Sequence, residues 1–151
     1  MLTVLLALHL LAVVFWVGGM AFAYFVLRPA AGPLDPAARL PLWGRVFGIF
    51  LPWVGISIAV LLGSGYGMLL SYFGGFGAAP IYVNLMQALG IVMMLLFLHL
   101  VFAPWRRFRA ALDQGRLPDA AKYLNQIRVI VAANLALGVV TVVIGGTGRY
   151  W

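Results

Sequence analysis

The chain has 151 residues, of which 65% are apolar and only 9% charged, and its formal net charge is +7. A soluble fold of this size cannot hide so much apolar surface, so the composition excludes a soluble globular domain and points to a membrane protein. There is no cysteine, which removes disulfides, thiolate metal sites and thiol catalysis together.

The uncharged stretches set the elements, since about 20 apolar residues cross the hydrocarbon layer. Residues 2–27 carry no charge apart from the titratable His9, and residues 46–105 carry none apart from His99. The second stretch is long enough for two crossings, and residues 129–147 supply one more. The expectation is an all-α, polytopic membrane protein, a single transmembrane domain over 1–151 built as a four-helix bundle.

Helix one is expected over 2–27, stopped at Arg28 and Pro29, because a proline disfavours helical geometry in the residue before it. It lacks a basic leader, and its apolar run continues through Ala21, Phe22 and Ala23, so it reads as retained and not as a cleaved signal. The loop 28–44 holds Pro29, Pro33, Pro36 and Pro41. Within it, Asp35 and Pro36 read as an N-cap and first helical residue, opening a short interfacial turn toward Trp43 at headgroup level.

Helix two is expected over 45–73, kinked at Pro52, with Gly63 and Gly67 spaced as a small-xxx-small pair for close packing. That pairing lies within the chain or in a homo-oligomer. Gly74, Gly75 and Gly77 make a tight outer turn. Helix three is expected over 80–104, with a helical extension suggested by Arg109 and Asp113 at i,i+4 and a stop at Gly115. The second basic loop spans 105–125, and helix four 126–146. Trp105 at one end, and Tyr150 and Trp151 at the other, fit aromatic belts.

Charge sets the orientation. Arg28, Arg39 and Arg45 flank the first loop, and Arg106, Arg107, Arg109, Arg116, Lys122 and Arg128 crowd the third. Lys and Arg collect in cytoplasmic loops, so loops 28–44 and 105–125 are expected in the cytoplasm and both termini outside. The basic residues sit where topology needs them, and no aromatic or glycine pattern accompanies them, so nucleic acid is not an expected partner. The lipid bilayer is.

All three acids, Asp35, Asp113 and Asp119, fall in the loops. No carboxylate is left for a proton relay or a hard-cation site in the membrane. Two histidines remain inside spans, and an intramembrane ionisable residue is a functional-site hypothesis by default. His9, Val13, Trp16 and Met20 form a stripe at helical spacing, with His9 about 12 Å below the outer end. His99 lies near the inner end of helix three, so the two rings differ in depth by roughly 10–15 Å. Thioether and imidazole suit copper, especially Cu(I). Met68 and Met86 approach the level of His9, and Met20 lies deeper. Asn84 and Gln87 sit near the same outer mouth as a polar vestibule. The opposing reading is that methionines fill gaps, that the two amides and Asn134 only bridge helices, and that each histidine is neutral and hydrogen-bonded to a neighbouring helix.

A resemblance follows from these residues. The run from His9 through Trp16, Gly18 and Gly19 to Leu27, Arg28 and Pro29 resembles the first helix of CopD-like copper resistance membrane proteins. Tyr82, Asn84 and Met86, then Leu98, His99, Leu100, Ala103 and Pro104, resemble the third helix of short, four-helix members. Asn125, Gln126, Ile127 and Arg128, with Asn134 and Gly138, resemble the fourth. The resemblance implies copper handling at the bacterial inner membrane, with His9 and His99 as copper-binding positions and a periplasmic copper carrier as partner. The spacing from His9 to Trp16 also resembles the haem-containing, four-helix membrane protoporphyrinogen oxidases. Those carry a lysine in the third helix, where this chain has none.

Three functions are therefore expected in order. The first is a CopD-like protein binding or passing copper through His9, His99, Met86, Met68 and Met20, without catalysis. The second is a haem-b redox protein or protoporphyrinogen-oxidase-like enzyme with His9 or His99 as axial ligand. The third is a non-catalytic accessory membrane subunit.

Overall fold

The computed structural model describes residues 1–151, which form helices and turns and no strand. Four helical runs are long and apolar enough to cross a membrane: α1 (Leu2–Ala31), α2 (Pro36–Ser71), α3 (Ile81–Asp113) and α4 (Leu117–Tyr150). Helix α1 packs along α2 and α3 along α4, while α4 also touches α1 and α2. Only 26 of the 151 residues are buried, and large apolar side chains cover the outside. Lipid tails are as apolar as leucine, so that surface is at ease only in a bilayer.

The buried positions recur at helical spacing, as the packing of one face requires. They are Ala12, Trp16, Met20 and Ala23 on α1, and Leu40, Trp43, Phe47, Leu51 and Val54 on α2. Met93, Phe97 and Leu100 on α3, with Ile127 and Leu135 on α4, complete the same cluster. This core fills the middle of the bundle and the end carrying the basic turns. The opposite end, near both termini, is more open.

The expected stop at Pro29 fails, while the expected helical extension beyond Pro104 is present, ending before Gly115. A π-helical turn at Ala23–Leu27 precedes Pro29, and the helix continues through Arg28–Ala31. A second π-turn at Val101–Trp105 contains Pro104, and the helix continues through Arg106–Asp113. The wider turn shifts the hydrogen-bond ladder past the carbonyl that the proline ring would strike. Most of the expected loop 28–44 is likewise helical. α2 begins at Pro36 and runs to Ser71 through Pro41 and Pro52. Pro36 at the first turn loses no internal bond, and one long helix replaces the short turn plus span. Much of 105–125 is helical, as the expected extension toward Gly115 implied, and only the turn between Asp113 and Leu117 remains, where Gly115 adopts φ 66°. Arg116 N–H bonds there to the Ala111 carbonyl at 2.9 Å, a helix stop that needs a residue tolerant of positive φ.

Two aromatic expectations are also corrected. Trp43 and Trp105 do not anchor at headgroups; both are buried. Trp43 stacks on Phe47 with centroids 5.2 Å apart, and Trp105 meets the same ring edge-on at 6.0 Å. Tyr150 and Trp151 at the other end are exposed. The glycine pair shifts as well. Gly63 has open space around it, and Gly65 and Gly67 face α1 instead, against His9 and Leu5.

Gly138 lies where three helices meet. A Cβ there would stand 3.0 Å from Val17 on α1 and 3.2 Å from Met93 on α3. Gly138→Leu should cost roughly 1–3 kcal/mol by overpacking, whereas Gly63→Leu should be near neutral. Unfolding of both variants in detergent checks this; equal effects would contradict the packing.

Candidate functional site

Helices α1 and α2 approach closely near the end that carries both termini because α2 is stripped of side chains there. Gly65 leaves room for His9, whose Cε1 would lie 3.3 Å from a Cβ at that position. His9 Nδ1 stands 2.9 Å from the Ser64 hydroxyl. Ser64 in turn donates to the Val60 carbonyl of its own helix at 2.6 Å. A hydroxyl has one hydrogen, so its oxygen is left to accept. With the Ser64 hydrogen on Val60, His9 Nδ1 is the donor and Nε2 carries the lone pair; with that hydrogen turned to the ring, Nδ1 accepts instead. A histidine held by one ring nitrogen, with the other available, has the form of a metal ligand with its supporting partner.

The surrounding level is polar and soft. At about 1.5 Å of rise per residue, His9, Ser64, Met86 and Gln87 all lie about 7–11 Å from the ends of their helices on the side of both termini. Gln87 Nε2 donates to the Tyr66 hydroxyl at 3.3 Å, tying α3 to α2. Met86 packs on α4, where a Cβ at Gly145 would lie 3.2 Å from its sulfur. Met68 is one turn beyond Ser64 on the same face of α2 and is half-buried. Asn84 Nδ2 turns to the Ala79 carbonyl of its own segment at 3.5 Å.

The remaining candidates stand elsewhere. Met20 is only 2% exposed and sits in the core beside Trp16, about 16 Å deeper than His9. His99 lies at a similar depth on the exposed face of α3, and it makes no hydrogen bond. A depth difference of roughly 16 Å prevents one haem iron from taking both histidines as axial ligands. No three His, Cys, Asp or Glu side chains come together to hold a metal. Any soft-metal site here depends on one imidazole plus thioethers.

Asn134 bridges α4 to α3 by donating to the Met93 carbonyl at 3.2 Å, while its buried Oδ1 has no partner. Thr141, two turns further out, is satisfied by the Leu137 carbonyl at 2.8 Å. Sequence reasoning passed over Ser64 and Tyr66. The signal for Ser64 was its place between Gly63 and Gly65, where small residues let a facing histidine approach.

The family model CopD, "Copper resistance protein D", matches residues 44–147, more than half of the chain. The match covers Ser64, Met68, Met86 and His99 and begins after His9. No curated protein and no solved structure matches.

A double-mutant cycle with His9→Ala and Ser64→Ala, read by unfolding in detergent, should return a coupling of about 0.6 kcal/mol and at most about 1.7 kcal/mol. Strict additivity of the two substitutions would mean that the hydrogen bond contributes nothing.

Proposed function

Because the chain belongs to the copper resistance protein D family, a family of multi-pass inner-membrane proteins, we propose that it takes up copper(I) as cargo through His9. The observation that supports this reading is the Ser64 contact at His9 Nδ1, which orients the ring; in this reading Ser64 accepts from Nδ1 and Nε2 binds the metal. The half-buried thioethers of Met86, near the same level, and of Met68, one turn beyond Ser64, are the further donors. The basic turns face the cytoplasm in this reading, and His9 opens toward the outer side, where a copper carrier delivers.

The choice of metal follows from what the donors lack. Hard cations need several oxygens, and no carboxylate lies in a span. A monovalent soft ion held by neutral imidazole and thioether avoids placing an uncompensated dication in hydrocarbon. His99, exposed on α3, would meet copper only where a second copy or a partner covers that face.

In competition with a chromogenic Cu(I) chelator, the wild-type protein should retain about one copper, and His9→Ala should lose it. Ser64→Ala should weaken binding by about 10–100-fold through loss of ring orientation. Leucine at Met68 or Met86 should weaken it further. Affinity should fall as acid protonates the imidazole, because a protonated ring has no lone pair to give. A Soret band abolished by His9→Ala would replace copper with haem, and unchanged copper in His9→Ala would remove the site.

A further inference from the structure

A second feature lies at the opposite end of the bundle. A half-enclosed cavity of about 350 Å³ between α1, α2 and α4 is lined by Arg28, Arg39, Arg128 and Asn125 over an apolar floor that includes Trp43 and Phe47. No acidic side chain lines it. The chain's one ion pair, Arg116 with Asp119, is elsewhere. Three guanidinium groups thus share one cavity without a counterion from the protein.

Two of them are held in place. Arg28 lies over the Tyr24 ring, 5.1 Å from its centroid. Arg39 donates to the Gly32 carbonyl at 3.2 Å, which ties one nitrogen of its fork and leaves the others free. Like charges gathered at the water boundary spread apart unless an anion holds them, and planar guanidinium forks match phosphate oxygens two at a time. The floor narrows the identity of that anion. Phe47 is two turns deeper than Arg39, about 12 Å along the axis, so the cavity runs from a charged rim into apolar depth. Inorganic phosphate would fill only the rim. A phosphodiester with a glycerol and acyl portion fills both.

We propose that the cavity of Arg28, Arg39 and Arg128 binds the phosphodiester headgroup of an anionic phospholipid from the leaflet at the basic end of the bundle. Basic pockets between spanning helices take such headgroups by this chemistry. A zwitterionic lipid presents an ammonium to the same three arginines and is disfavoured. The site is independent of copper, because Arg28 is 19 residues from His9 on α1, about 28 Å at the helical rise.

The test is native mass spectrometry of the full chain in detergent, offered phosphatidylglycerol and phosphatidylcholine together. The wild-type protein should keep one phosphatidylglycerol preferentially. Arg39→Gln with Arg128→Gln should weaken that retention by about 25-fold, or roughly fivefold for each basic residue lost. Arg107→Gln, which removes charge outside the cavity, should leave it unchanged. Equal retention of the two lipids by wild type would overturn the proposal without any variant, so a misfolded mutant cannot rescue it. Displacement of the lipid by millimolar inorganic phosphate would overturn it in favour of a free-anion site, and an Arg107→Gln loss equal to the double variant would reduce it to bulk charge.

Discussion

Water is absent from the hydrocarbon layer, so every polar atom in a span must find its partner inside the protein. That constraint accounts for much of this bundle's detail. Ser57, Ser64, Ser71, Thr141 and Thr147 each return their hydroxyl hydrogen to a carbonyl one turn back in their own helix. Such back-bonding satisfies the donor and leaves an oxygen lone pair facing outward from the helix. At Ser64 that lone pair meets an imidazole; at most other positions it meets nothing polar. The site around His9 is therefore a local use of a rule that these hydroxyls obey and that Asn134 Oδ1, buried without a partner, breaks.

The same rule governs the prolines. A proline in a span removes one donor and orphans one carbonyl, and loops are not tolerated in lipid as a remedy. The π-turns beside Pro29 and at Pro104 keep the backbone paired through both residues.

The parts legible in sequence were those carried by composition and by one-dimensional spacing. Four spans follow from uncharged length, and the α1 stripe of Trp16 and Met20 is buried as its period implied. What stayed hidden depends on rotation of one helix about its axis relative to another. Spacing alone made Gly63 and Gly67 a packing pair, yet α1 meets Gly65 and Gly67. His9 and His99 look alike as lone histidines in apolar runs, but one faces a helix and the other faces outward. Trp43 and Trp105 carry an interfacial preference that the aromatic cluster around Phe47 overrides. The arginine cavity draws on three helices and residues up to 100 positions apart in the numbering (Arg28 and Arg128), so no local pattern could announce it.

The two ends of the bundle are electrostatically unlike, and this bears on how they can communicate. The half near both termini offers neutral, soft donors and no formal charge near His9, whereas the other end gathers unneutralised guanidinium groups. A monovalent cation approaching one arginine to about 6 Å meets a repulsion of roughly 3 kcal/mol at an effective dielectric constant near 20. Three arginines multiply that barrier, and a phosphodiester seated among them cancels much of it. At the end that carries His9 no cluster of arginines raises such a barrier. In the proposed copper reading, a route along the helix axes toward the basic end would therefore depend on an anion there, and without one the same residues would turn a cation back.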